Sequence, residues 1–243
     1  MRMSGDAHAG GVAVSVVVPV YRNTATVDAL QGQLTRVLEA CGLEFETIFV
    51  DDACPEGSGR LLHALAARDR RVRVVSHERN RGQHRAVVTG LEVATGEWIV
   101  IMDADLQDSP EAIPALLAAG RQGFSAVFAG RRGRYESGGR WLTSRMFKRA
   151  LSHLCGVPFD AGSFVAVTRS LAERVVVTAR GRCSLAALIG MTGLPLTSIP
   201  IDRQSRSRGP SAYSSWGRLR LGMETLLRVV WWRVRGLPAK EGG

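Results

Sequence analysis

Residues 14–20 read Val14-Ser15-Val16-Val17-Val18-Pro19-Val20, a nearly continuous β-branched run. A strand with one wet face alternates apolar and polar residues, so a run without that alternation reads as a strand buried on both faces. Outward from it, Thr26–Ala40 sets Val27, Leu30, Leu34, Val37 and Leu38 at helical spacing, with Gly42 placed to stop the helix. Phe45–Val50 reads as a second strand, Ser58–Ala67 as a helix, Val72–Val75 as a third strand, Gln83–Ala94 as a helix and Trp98–Met102 as a fourth strand. A short helix after Pro114 and a strand over Ala126–Ala129 follow. Strands separated by helices of this length predict right-handed crossovers and a mostly parallel central sheet flanked by helices. The fold class is α/β.

The pattern changes beyond Gly130. Arg131–Arg149 is basic, and Trp141, Met146, Phe147 and Leu151 supply the stripe of a helix; Ser163–Thr168 and Leu196–Ile201 read as further strands. Gln204–Ser215 is a loop rich in Arg, Ser and Gly, and Trp216–Arg235 is amphipathic. These shifts divide the chain into a short tail over 1–12, one domain over 13–215 with halves at 13–130 and 131–215, and a basic helix and tail over 216–243.

Composition narrows the classes. Of 243 residues, 45% are hydrophobic and 22% charged, which excludes wholesale disorder. No apolar run approaches the ~18 residues of a membrane-spanning helix. Met1–Gly11 has Asp6 and His8 where a signal peptide needs an apolar block, so a cytoplasmic location is expected. None of the four cysteines forms a C-x-x-C pair, which points to incidental thiols in a reducing compartment. The net charge of +10 is uneven: residues 1–120 hold 11 basic and 16 acidic side chains, while 121–149 and 203–235 each hold 8 basic and 1 acidic. An acidic first half and two basic blocks suit a site that handles a metal ion and anions together. A nucleic-acid partner is not expected, because the chain has only three Tyr for base stacking and no recognisable binding motif.

Active sites of open parallel sheets lie beyond the carboxyl ends of the strands. Three segments meet there: Pro19-Val20-Tyr21-Arg22-Asn23 after the first strand, Asp51-Asp52 after the second, and Asp103-Ala104-Asp105-Leu106-Gln107 after the fourth. Asp103 and Asp105 share a direction if the segment stays extended. With Gln107 they offer hard oxygen ligands suited to Mg²⁺ or Mn²⁺, whose remaining ligands are typically waters and substrate phosphates.

Val17-Val18-Pro19-Val20-Tyr21, Val50-Asp51-Asp52, Asn80-Arg81-Gly82-Gln83 and Asp103–Glu111 stand in the order and spacing of family 2 glycosyltransferases. The chain resembles, more narrowly, the polyprenyl-phosphate and dolichyl-phosphate sugar synthases. Gly130-Arg131, Arg134, Ser163-Phe164 and Arg206-x-x-Gly209-x-Ser211-x-Tyr213 extend the resemblance over roughly residues 14–215. It implies a GT-A fold and inverting transfer of a sugar from a UDP- or GDP-linked donor to a lipid phosphate. Under it, Pro19, Tyr21 and Asp52 hold the base and ribose, with Asp51 nearby. Asp103, Asp105 and Gln107 carry the divalent cation, and Arg131, Arg134, Arg206 and Ser211 face the phosphates of donor and acceptor. Asp105, Arg131 and Arg206 are the expected catalytic groups.

Transfer to a hydroxyl usually needs a side chain that removes a proton. From Gly162 to the arginine-rich loop the carboxylates are Glu173 and Asp202, neither an obvious base, with Asp160 and Asp202 within reach only if they move. This favours an acceptor phosphate, already anionic at neutral pH. The chain departs from the family pattern with Ala212 where Lys is common, so that Arg208 or Arg218 would supply that phosphate contact, and with Arg22-Asn23 where Glu often follows. The C-terminal membrane helices of many relatives, without a counterpart, point the other way. The rival reading is a soluble family 2 transferase acting on a hydroxyl. The last helix has two readings as well, an interfacial helix at the cytosolic membrane face or one packed on the domain or on a second subunit.

Overall fold

The structure is a computed structural model and describes residues 12–131, 138–179, 183–201 and 215–235. Among them, seven strands form one sheet: β1 (Val14–Val20), β2 (Phe45–Asp51), β3 (Val72–Ser76), β4 (Trp98–Ile101), β5 (Ala126–Arg131), β6 (Val165–Thr168) and β7 (Leu196–Ile201), in the order β3-β2-β1-β4-β6-β5-β7. Every residue of β1 is buried, as its composition requires. Val14, Val16, Val18 and Val20 enter one apolar core, whereas Val17 enters the other.

The first core is closed by α1 (Val27–Ala40), α2 (Ser58–Arg68) and α4 (Ile113–Gly120), and the second by α3 (Gln83–Val93), α5 (Gly138–Cys155), α6 (Arg169–Thr178), α7 (Leu185–Gly190) and α8 (Ser215–Arg235). α1 turns Val27, Leu30, Leu34 and Leu38 inward at helical spacing and ends where Gly42 takes φ +64°. α3 lies so close to β1 that a Cβ on Gly90 would stand 2.3 Å from Val17 Cγ1. Short 3₁₀ turns at Thr24–Thr26 and Pro110–Ala112 lead into α1 and α4.

β1, β2, β3 and β4 are mutually parallel, and β5 is parallel to β7. β6 is antiparallel to both β4 and β5. The reason is the loop after α5, which brings the chain to the carboxyl ends before β6 begins: the Ala129 N–H donates to the Phe164 carbonyl at 2.9 Å there. The order reverses between β1 and β4, so the switch point, and the crevice it opens, lies at the ends of those two strands. Among the described residues no helix is long and apolar enough to cross a membrane.

Candidate active site

The three expected segments do meet at the crevice, tied by hydrogen bonds that cross between strands. Thr26 Oγ1 lies 2.5 Å from the Ala104 carbonyl and 2.9 Å from that of Asn23, so its hydroxyl joins the turn after β1 to the Asp103-Ala104-Asp105 turn. The Arg22 N–H donates to Cys54 Sγ at 3.2 Å, joining the turns after β1 and β2. Burial pushes the Cys54 thiol up, but hydrogen bonds from Ser58 and the Arg22, Glu56 and Ser58 backbone outweigh it, and the thiol titrates below its usual range. The non-glycine residues with positive φ among those described, Arg22, Ala53 and Leu106, each follow one of these strands. Such left-handed backbone is held only where the surroundings over-determine it, and it gathers at functional sites.

Asp51 and Asp52 are both buried but face different tasks. Asp51 Oδ1 accepts from the Cys54 N–H at 3.1 Å and the Ser58 hydroxyl at 2.8 Å, which anchors the turn into α2. Asp52 Oδ1 accepts from the Arg81 N–H and Oδ2 from the Gly82 N–H, each at 2.8 Å. His77, one residue past β3, places Nδ1 2.8 Å from Asp52 Oδ1 and Nε2 3.1 Å from Thr89 Oγ1. Sequence reasoning missed His77 because it considered the ends of β1, β2 and β4 only. Its place just beyond a parallel strand was the available signal. Tyr21 is half-buried under the Arg22 guanidinium, 5.4 Å from the ring centroid.

The Asp103–Gln107 segment does not stay extended. β4 ends at Ile101, and Leu106 takes φ +58° while Asp105 Oδ1 accepts the Gln107 N–H at 3.1 Å. The turn thus aims Asp105 by a local hydrogen bond rather than by strand alternation. Asp103 accepts from Gln83 Nε2 at 2.5 Å and from Ser163 Oγ at 2.8 Å. Among the described residues no group of three His, Cys, Asp or Glu could hold a metal ion. Two carboxylates at a strand end fit a Mg²⁺- or Mn²⁺-type cation that completes its shell with water and substrate phosphate. Arg131 ends β5 opposite Ile201; its side chain, and all of Arg134, Arg206 and Ser211, lie outside the described residues. Asp160 reaches the same rim, its Oδ2 2.0 Å from where a Cβ on Gly130 would stand, whereas Glu173 is exposed on α6 beyond the opposite end of β6.

A GT-A-like sheet with acidic turns at its switch point is the architecture of nucleotide-sugar transferases. The chain belongs to glycosyl transferase family 2, whose model matches residues 15–176. It is 33% identical over 236 residues to the undecaprenyl-phosphate 4-deoxy-4-formamido-L-arabinose transferase of Pseudomonas aeruginosa, covering 95% of this chain and 69% of that one. Among solved structures it is similar to a mannosyltransferase from Pyrobaculum calidifontis in complex with GDP-Man and Mn²⁺ (TM-score 0.64, 20% identity, 95% of this chain and 66% of that one). It is also similar to glucosyl-3-phosphoglycerate synthase from Mycobacterium tuberculosis in complex with Mn²⁺, UDP and phosphoglyceric acid (TM-score 0.63, 19% identity, 97% and 82%). At these identities the solved structures speak for the fold alone.

Proposed function

We propose that this protein transfers a sugar from a UDP- or GDP-linked donor to a polyprenyl phosphate, with inversion and with a divalent cation, at the cytosolic face of a membrane. The observation that carries the reading is the rim itself, where hydrogen bonds tie the turn after β4 to the turn after β1 and, through Arg81, Gly82 and Gln83, tie Asp103 to Asp52. The relatives named for undecaprenyl phosphate support the acceptor class. In this reading residues 13–130 are the donor half and 131–215 the acceptor half.

Pro19, Tyr21 and Asp52 hold the nucleoside; Asp51 acts one step back, through the turn into α2. Asp103, Asp105 and Gln107 would hold Mg²⁺ or Mn²⁺, which when bound offsets negative charge on the departing nucleoside diphosphate. Arg131, Arg134, Arg206 and Ser211 face the phosphates. An acceptor phosphate oxygen forms the new bond to the anomeric carbon while the bond from that carbon to the diphosphate oxygen breaks. No proton has to be removed, in keeping with a rim on which Glu173 has no part. Asp160 at the rim favours the second reading, a hydroxyl acceptor with a carboxylate base.

The test is calorimetric titration of UDP- and GDP-sugars with Mn²⁺ and then with EDTA, followed by extraction of the labelled product. Cation-dependent binding of one donor class and label in the organic phase are the expected results. Label that stays in water would replace the lipid acceptor with a hydroxyl. Donor binding unaffected by EDTA would remove the cation.

Membrane contact falls to α8. Thr225 and Val229 face the domain, while Met223, Leu227, Val230, Trp231 and Val234 form an exposed stripe on the other side, Leu227 at 72% and Val234 at 82%. The α8 sequence carries five basic residues, Arg218, Arg220, Arg228, Arg233 and Arg235, and one acidic, Glu224, so a second copy of this helix would meet like charge, whereas anionic lipid complements it. Flotation should carry the protein with phosphatidylglycerol vesicles and not with phosphatidylcholine vesicles, and Leu227→Asp with Val234→Asp should leave it at the bottom. Equal flotation of this variant and the wild type would assign the stripe elsewhere.

A further inference from the structure

The carboxylates of the two halves of the crevice are linked through one short segment. Asp52 accepts from the backbone N–H groups of Arg81 and Gly82, and the next residue, Gln83, opens α3 and donates its side-chain amide to Asp103 Oδ1. From the other side of the fold, the Ser163 hydroxyl donates to Asp103 Oδ2 at 2.8 Å. The topology explains how Ser163 arrives there. β6 lies between β4 and β5 and runs against both, so the loop leading into it is wedged between their carboxyl ends. That loop is itself fixed at Gly130, where Asp160 occupies the space a Cβ would take.

We propose that Gln83 and Ser163 are positioning residues for Asp103, setting the plane of its carboxylate. The terminal torsion of an Asp side chain is broad and holds no single orientation by itself. One donor on each oxygen, from two elements that are held independently, removes that freedom. Groups that orient a metal-side carboxylate typically matter about 10- to 100-fold in metal affinity or activity. The proposal rests on the donor-and-cation reading above.

The experiment titrates Mn²⁺ in the presence of UDP or GDP, whichever the wild type retains, and follows free Mn²⁺ by electron paramagnetic resonance. Gln83→Ala and Ser163→Ala are expected to weaken Mn²⁺ by about 10- to 100-fold at an unchanged unfolding temperature. Ser163→Thr, which keeps the hydroxyl, restores the affinity; a role in packing alone would leave all three variants alike. Alanine variants that hold Mn²⁺ as the wild type does would overturn the proposal while leaving the donor site intact. A wild type that holds Mn²⁺ with neither nucleotide would overturn the reading beneath it. If Ser163→Ala unfolds, Gln83→Ala reads the same property from the other oxygen.

Discussion

Asp105→Ala is expected to lower sugar transfer by roughly three orders of magnitude or more, because charge stabilisation at a departing diphosphate contributes several kcal/mol and each 1.4 kcal/mol is tenfold. The fold should persist. Asp105 is only half-buried, and one hydrogen bond that it accepts, from the Gln107 N–H, is worth about 1 kcal/mol. Asp103 is gripped on both oxygens by distant residues, Gln83 and Ser163. Its replacement should therefore disturb the crevice as well as the chemistry. Activity measured with labelled donor, together with the unfolding temperature, separates the two variants. Full transfer by Asp105→Ala would remove the aspartate pair from the mechanism, and a collapse of its unfolding temperature would make the turn structural.

Much of this was legible in the residues. The β-branched run of β1 carried the buried parallel sheet because a strand covered on both faces cannot alternate, and the structure divides its valines between two cores. The Asp103–Gln107 turn was legible as a candidate site because acidic residues directly follow an apolar strand. The direction of β6 was not: Val165–Thr168 pairs equally well either way as a short apolar run, and its polarity depends on the path taken by the loop before it. Nor was the bend at Leu106 legible, since positive φ in a leucine leaves no mark of the kind a glycine would. Contacts such as Ser163 to Asp103 span 60 residues and become visible only once β6 is seated between β4 and β5. Arg134, Arg206 and Ser211 rest on the resemblance alone.

At the other end of the strands, Glu46→Ala should cost about 3–5 kcal/mol of stability, because several donors lose a buried carboxylate and each one left unsatisfied costs about 1–3 kcal/mol. Glu46 pairs with Ser15 in the β1–β2 register and is 5% exposed. Its Oε1 accepts from Ser15 Oγ at 2.7 Å, the Thr95 N–H at 2.7 Å and Thr95 Oγ1 at 2.6 Å, while Oε2 accepts from Arg73 at 2.8 Å. The network closes the turn from α3 into β4, where a Cβ on Gly96 would stand 2.4 Å from the Ser15 nitrogen. Alanine would leave the Ser15 and Thr95 hydroxyls without their acceptor, while the Thr95 N–H keeps Ser15 Oγ and Arg73 keeps the Val93 carbonyl. Glu46→Gln should cost less, about 1–3 kcal/mol, since the amide oxygen can replace Oε1 but the amide NH₂ then confronts Arg73, which is exposed enough to turn away. Burial pushes the Glu46 carboxyl up, yet the hydrogen bonds from Thr95, Arg73 and Ser15 prevail and hold it below its usual value of 4.5. A carboxylate lowered on folding binds fewer protons folded than unfolded, so its contribution is complete above that usual value and fades as the pH falls through the lower folded one. The stability gap between wild type and Glu46→Gln, from urea unfolding, should accordingly be constant near neutrality and narrow below about pH 4.5. A gap that stayed constant to pH 3 would mean that the shape of the side chain, and not its charge, holds β1, β2 and the turn before β4 together.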